Sequence, residues 1–174
     1  MVKKHLVMMR VDRLDTPLGV MRLVVDGTGA LKHLDWDVGD DDAGLLPTRD
    51  PAGVTSALRA YFSGQLEALE GLLVDGEGTD FQRQVWAALR EIPAGTTQSY
   101  GELARRIGSP AAVRAVGAAN GRNPIGVVVP CHRVIGADGT LTGYAGGLDR
   151  KRWLLTHEAR HATRALGPLF SPAR

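Results

Sequence analysis

The chain holds a single cysteine, Cys131, in the run Pro130-Cys131-His132-Arg133. A lone cysteine is ordinarily a small buried hydrophobe. Here its neighbours are an imidazole and a guanidinium, both of which favour a thiolate, and a thiolate is a soft nucleophile suited to attack at carbon. Adjacent residues of a regular element do not face one another, so His132 reaches the thiol only across a turn or through a bridging water. That weighs against a simple Cys-His hydrolase pair. With one cysteine no internal disulfide can form, and a zinc site of several thiolates is excluded. A second grouping, His157-Glu158-Ala159-Arg160-His161, matches the H-E-x-x-H pattern of zinc metalloproteases. That chemistry needs a third protein ligand, usually downstream, and beyond His161 the chain has no Asp, Glu or His. No metal and no cofactor is expected.

The elements that must carry these residues divide into two groups. Residues 5–14, 20–25 and 30–36 are β-prone and are separated by turn chemistry at Thr16-Pro17-Leu18-Gly19 and Asp26-Gly27-Thr28-Gly29, which predicts an antiparallel meander. Residues 38–51 are acidic and rich in Gly and Pro, hence a loop. Residues 54–62 have helical spacing, with Val54, Leu58, Tyr61 and Phe62 on one side. Gly76-Glu77-Gly78 reads as a domain boundary. Beyond it lie helix start signals. Thr79-Asp80-Phe81-Gln82 and Ser99-Tyr100-Gly101-Glu102 are capping boxes. The first helix should run to about Ile92, before Pro93, and the second should end at Gly108, a left-handed C-cap. Ser109-Pro110 then opens a third helix. Helix, tight turn and helix in this order are the grammar of a helix-turn-helix.

The third helix is almost entirely small: Ala111, Ala112, Val113, Ala115, Val116, Gly117, Ala118 and Ala119 surround one long cation, Arg114. Taken alone, this pattern favours a tightly packed core helix whose Arg114 snorkels to solvent. Asn123-Pro124 forces an extended or turning backbone, and residues 125–129 form an apolar β-like run into Pro130.

Composition sets the outer limits. The 174 residues, 44% hydrophobic and 23% charged, suit one soluble domain or two small ones. No apolar run reaches the roughly 18 residues of a membrane span, and no signal peptide is expected. The net charge of +2 hides an asymmetry. Residues 1–80 carry 8 basic and 14 acidic side chains, and residues 81–174 carry 13 and 5. The basic second half fits a polyanion partner as well as it fits a solvated surface.

The motifs become specific together. Pro130-Cys131-His132-Arg133-Val134 resembles the active-site signature of the O6-alkylguanine-DNA alkyltransferases (methylated-DNA–protein-cysteine methyltransferases). The likeness continues through Gly78-Thr79-Asp80-Phe81-Gln82, Tyr100-Gly101-Glu102-Leu103-Ala104, Arg114-Ala115-Val116-Gly117, Asn120-Gly121-Arg122-Asn123-Pro124, Gly143-Tyr144-Ala145-Gly146-Gly147 and Trp153-Leu154-Leu155-Thr156-His157-Glu158, in the family's order, across about half the chain. The resemblance implies an α+β fold. Residues 1–78 would be an N-terminal α/β domain with a short antiparallel sheet. Residues 79–174 would be a mostly helical domain with a (winged) helix-turn-helix.

It also implies roles. Cys131 would be the nucleophile, His132 would take its proton through a water, and Glu158 would orient His132. Tyr100 would donate to the purine, and Asn123 would hinge the recognition helix to the active site. Arg114 would fill the base stack, with Ala112, Val113, Ala115 and Gly117 allowing close approach in the minor groove. Tyr144, Ala145, Gly146 and Gly147 would wall the lesion pocket, and the Cys131 and Val134 carbonyls would accept from the guanine amino group. The partner would be double-stranded DNA carrying O6-alkylguanine, with O4-alkylthymine a second candidate substrate. The reaction would be stoichiometric, in a cytoplasmic bacterial-type protein expected to be a monomer, with cooperativity on DNA left open. Alkyltransferase-like proteins that bind lesions without repairing them lack the nucleophilic cysteine, which sets that alternative aside here. Ala145 stands where some relatives have serine, which bears on the range of alkyl groups accepted.

Overall fold

In this computed structural model, residues 8–36, 39 and 41–166 are described, the side chains of 163–166 excepted. The expected meander forms. Strands β1 (Arg10–Thr16), β2 (Gly19–Val25) and β3 (Leu31–Trp36) pair antiparallel in sequence. The β1–β2 turn is closed by the Thr16 hydroxyl, which donates to the Gly19 carbonyl (2.6 Å) and accepts from the Leu18 amide (3.1 Å). Residues 5–7 of the expected first strand lie outside the described residues, as do Val38 and Asp40 of the expected loop. That loop also contributes a two-residue strand, β4 (Leu46–Pro47), parallel to β1, so the sheet order is β3-β2-β1-β4.

Helix α1 (Val54–Phe62) packs the face predicted from its spacing, with Val54, Leu58 and Tyr61 buried alongside Leu14, Met21 and Leu23 of the sheet. The free side of β3 is covered by chain from the second half. The Leu34 amide donates to the Pro124 carbonyl (3.0 Å), and the Gly126 amide donates to the Leu34 carbonyl (2.9 Å). An edge strand is thereby paired rather than left open. The buried apolar residues of both halves form one continuous cluster, from Leu14 to Leu154. Gly76 and Gly78 sit within this contact: a Cβ on Gly76 would lie 2.7 Å from Pro124, and one on Gly78 would lie 2.5 Å from Trp86.

Both capping boxes form. Thr79 starts α2 (Asp80–Arg90) and Ser99 starts α3 (Tyr100–Arg106), each with its reciprocal Gln82 or Glu102 bond. Gly108 has φ +74°, its amide donates to the Arg105 carbonyl (3.0 Å), and the Ser109 amide donates to the Ala104 carbonyl (2.9 Å). That double bond pattern is a Schellman ending. It consumes the segment expected to open the next helix. Ser109 and Pro110 lie in a turn closed by the Ala112 amide on the Ser109 carbonyl (2.9 Å), and α4 runs Val113–Gly121 without a side-chain cap.

The core-helix reading of α4 is also corrected. Only Val116, Ala119 and Asn120 are buried, while Val113, Arg114, Ala115 and Ala118 are exposed. Two short parallel strands, β5 (Gln98–Ser99) and β6 (Val134–Ile135), tie the helix-turn-helix to the cysteine segment. Helix α5 (Leu148–Leu166) closes the fold.

Candidate active site

Residues 125–129, read as β-like, instead approach the cysteine through turns. The Val128 amide donates to the Gly126 carbonyl (2.8 Å) around Val127, whose φ is +69°. A β-branched residue at positive φ is strained by about 1–3 kcal/mol, and it is held here by complete burial. A second such turn at Pro130 brings the Cys131 amide onto the Val129 carbonyl (2.8 Å). Both turns satisfy buried backbone locally, which a sequence period cannot reveal.

Cys131, His132 and Arg133 then form a single 3-10 turn, all three buried. With three residues per turn, successive side chains diverge by roughly 120°. His132, which was expected to reach the thiol only across a turn or through a water, and Arg133, which was read as favouring the thiolate, both reach Glu158 of α5. His132 Nε2 donates to Glu158 Oε1 at 2.8 Å. Arg133 Nε lies 2.9 Å from Oε2 and Nη2 lies 2.8 Å from Oε1, while Nη1 donates to the Ile92 carbonyl (2.6 Å). The Tyr61 hydroxyl adds a bond to Oε1 at 2.7 Å. Burial alone would raise the Glu158 pKa. The charge and hydrogen bonds of His132 and Arg133 outweigh that and hold it well below the usual carboxylate range.

With Nε2–H committed to Glu158, His132 Nδ1 is the nitrogen left to accept a proton. It is buried and has no protein partner among the described residues. No direct Cys131–His132 side-chain hydrogen bond is present among them. Around the thiol, burial pushes the pKa up, while an Asn123 hydrogen bond and the Lys151 charge oppose the rise.

Asn123 ties the end of α4 to the cysteine segment: its side-chain amide donates to the Val129 carbonyl (2.7 Å) and its side-chain oxygen accepts from the Ile125 amide (3.0 Å). Tyr100 stands at the start of α3, half-buried, with its ring against Gly117 of α4 and its hydroxyl donating to the Thr142 carbonyl (3.2 Å). Tyr144, Ala145, Gly146 and Gly147 make a turn closed by the Gly147 amide on the Tyr144 carbonyl (2.9 Å), with Ala145 exposed. Arg114, Val113 and Ala115 lie on the exposed face of α4, with Ala112 and Gly117 half-exposed beside them.

Sequence reasoning missed four residues. Lys151 is fully buried, and its ammonium donates to the Val134 (2.6 Å) and Thr142 (2.9 Å) carbonyls. It therefore already occupies one of the carbonyls expected to bind guanine. Its signal was present as position: Lys151, Leu154 and Glu158 share one helix face at i, i+3 and i+7. Trp36 packs so closely on Gly146 that no Cβ fits there, and the Arg150 guanidinium covers its ring at 4.4 Å. Asn120 is buried and donates to the Cys131 carbonyl at 3.4 Å. Tyr61 was read only as a core residue of α1. Nothing in the local sequence of these last three marks their contacts.

The H-E-x-x-H grouping is also accounted for. His157 Nε2 is engaged by the Tyr61 carbonyl (2.8 Å) and the ring stacks on Trp153 at 4.8 Å, while Glu158 turns to the other side toward His132. Among the described residues no group of three His, Cys, Asp or Glu side chains is arranged to hold a metal.

Residues 80–160 match the family model described as 6-O-methylguanine DNA methyltransferase, DNA binding domain. A methylated-DNA–protein-cysteine methyltransferase of Salmonella typhimurium is 46% identical over 160 residues, covering 84% of this chain and 94% of the relative. The structure of the Mycobacterium tuberculosis O6-methylguanine methyltransferase is 44% identical with a TM-score of 0.78, covering 88% of this chain and 94% of the other. The M. tuberculosis OGT in complex with DNA is 46% identical with a TM-score of 0.79, covering 89% and 94%. At this identity and coverage, this chain belongs to the methylated-DNA–protein-cysteine methyltransferase family.

Proposed function

We propose that this protein repairs double-stranded DNA by moving an alkyl group from O6 of guanine to Sγ of Cys131, once per molecule. The observation that carries this reading is the fully buried His132–Glu158 pair, whose histidine shares a 3-10 turn with the chain's single cysteine.

The thiol proton passes through a water to His132 Nδ1, and Glu158 stabilises the imidazolium that forms. The thiolate attacks the alkyl carbon, an S–C bond forms and the C–O6 bond breaks. Guanine leaves with the electron pair, and Tyr100 neutralises it with a proton. The target atom is inside the duplex, so the nucleotide must be flipped out at a cost of a few kcal/mol. Arg114 fills the gap, and the small exposed residues Ala112, Val113, Ala115 and Gly117 let α4 approach the minor groove. Asn123 joins that helix to the nucleophile. Tyr144, Ala145, Gly146 and Gly147 enclose the base with Val134. The thioether is stable, so each molecule reacts once.

The division at residue 78 is functional in this reading: residues 79–174 carry the chemistry and the DNA face, and residues 1–78 support them. A monomer acting in the cytoplasm suffices. Among the described residues no helix is long and apolar enough to cross a membrane.

Mixing the protein with a duplex containing O6-methylguanine and weighing the peptides tests this directly. The expected result is one methyl on the Cys131 peptide, saturating at one per protein, and none in Cys131→Ala, which still binds the duplex. Binding without transfer by the unaltered protein would make it a lesion-binding module and overturn the reading.

A further inference from the structure

The first half of the chain sends one side chain into the relay. Tyr61 lies near the end of α1, is completely buried, and its hydroxyl donates to Glu158 Oε1 at 2.7 Å. Its own carbonyl accepts from His157 Nε2 at 2.8 Å, so one residue clasps two successive positions of α5. The clasp is extended on either side. Phe62 packs on Trp153 with ring centroids 5.9 Å apart, and Gly64, at φ +114°, lies so close to the His161 ring that no Cβ fits between them.

A phenylalanine would fill the same space, so packing alone does not explain the hydroxyl. Its acceptor does. Oε1 of Glu158 is the oxygen that also holds His132 Nε2, and with Arg133 Nη2 it receives three donors. A carboxylate offers about four lone-pair positions over its two oxygens, so Tyr61 and His132 draw on a shared resource. Burial and the neighbouring Glu158 charge push the Tyr61 phenol well above its ordinary value, so it stays a donor throughout the working range. Among the described residues, the other charged or titratable groups facing this cluster are Arg133, which is fixed on Glu158, His157, and on the thiol side Cys131, Lys151, Tyr144, Asp35 and Arg150.

We propose that Tyr61 is a positioning residue for alkyl transfer, acting through Glu158 to set how strongly the carboxylate holds His132. This rests on the reading of His132 and Glu158 as the relay that activates Cys131. The N-terminal half thereby takes part in the chemistry without touching substrate.

The test is Tyr61→Phe in the full chain, followed by single-turnover methyl transfer from an O6-methylguanine duplex between about pH 6 and pH 9. Without the hydroxyl, Glu158 Oε1 has one donor fewer and holds the His132 N–H more strongly. The acid limb of the rate profile should move up by about half a pH unit, which is about a threefold slower rate on that limb. The duplex concentration giving half the maximal rate should stay within about twofold. A uniform loss at every pH, or a lower melting temperature with an unmoved profile, would make the hydroxyl structural and overturn the proposal.

A measurement on the unaltered protein covers the case in which the variant does not fold. The Tyr61 hydroxyl proton should exchange slowly and show a nuclear Overhauser contact to the His132 Nε2 proton. Absence of that contact would also overturn the proposal. Failure of the unaltered protein to take up any methyl would instead overturn the alkyl-transfer reading itself.

Discussion

The relay and the exposed face of α4 are opposite solutions within one small protein. At Glu158 the donors are fixed: His132, Arg133, Tyr61 and the Gly95 amide converge on one fully buried carboxylate. Thirty-seven to forty-five positions earlier, on α4, Arg114 is exposed, no hydrogen bond or ion pair holds its guanidinium among the described residues, and its neighbours are small. Proton transfer needs groups held to a fraction of an ångström, and low dielectric strengthens each bond once it is made. A side chain proposed to enter a base stack needs reach and freedom instead. On the proposed reading, chemistry is stored in the core and recognition is left on the surface.

The sharpest way to break this comparison is Glu158→Ala. It leaves Arg133 buried without its carboxylate, and removing one partner of such a pair costs about 3–5 kcal/mol. The melting temperature should fall steeply, and methyl transfer should slow while duplex binding persists. An unchanged transfer rate would assign the orientation of His132 to another group. The same carboxylate sets an acid dependence. Its pKa is held down in the folded state, so its stabilisation is fully present above the unfolded value of about 4.3 and fades as pH drops below it. The unaltered protein should therefore lose melting temperature on acidification below about pH 4.5, more steeply than the Ala variant.

Arg114→Ala should act on the other side of the comparison and more weakly. It removes no folded contact, so stability should stay within about 0.5 kcal/mol. Repair in duplex DNA should fall by about 10- to 100-fold, because filling the stack offsets part of the few kcal/mol needed to flip a base. Reaction with free O6-benzylguanine, which needs no flipping, should be nearly unaffected. Equal losses on both substrates would sink the stack-filling role.

The two regions were also unequally legible. What is local was readable: both capping boxes, the Gly108 ending and the apolar side of α1 depend on residues within one or two turns. The start of α4 was misplaced because Ser109-Pro110 has the chemistry of a helix opening, and only the Schellman bonds of α3 decide that it is a turn. The partners of Arg133 were misjudged because adjacency in sequence was taken for adjacency at the thiol, whereas the 3-10 turn rotates the guanidinium away. Tyr61 meets Glu158 across 97 positions, and Lys151 meets Val134 across 17. No periodicity encodes which buried donor will face which acceptor. The resemblance singled out Cys131, His132 and Glu158, but not Tyr61 or Lys151, which bond to Glu158 and beside the cysteine turn.

Ser99→Ala probes the joint between the two regions and should have the smallest effect on transfer. Ser99 caps α3 through the Glu102 amide (3.2 Å), receives the Glu102 carboxylate on its own amide (2.7 Å), and pairs with Ile135 just beyond the cysteine turn. Tyr100, the first residue of α3, is therefore oriented by a cap that also belongs to the active-site sheet. Loss of the hydroxyl costs about 1 kcal/mol of stability. If the joint transmits position, transfer from duplex DNA should slow by about two- to fivefold while Arg114-dependent discrimination between duplex and free base is retained. The cycle combining Ser99→Ala with Arg114→Ala checks this: additive losses mean that the core and the surface face are independent, and a coupling of about 0.5 kcal/mol or more means that Ser99 links them.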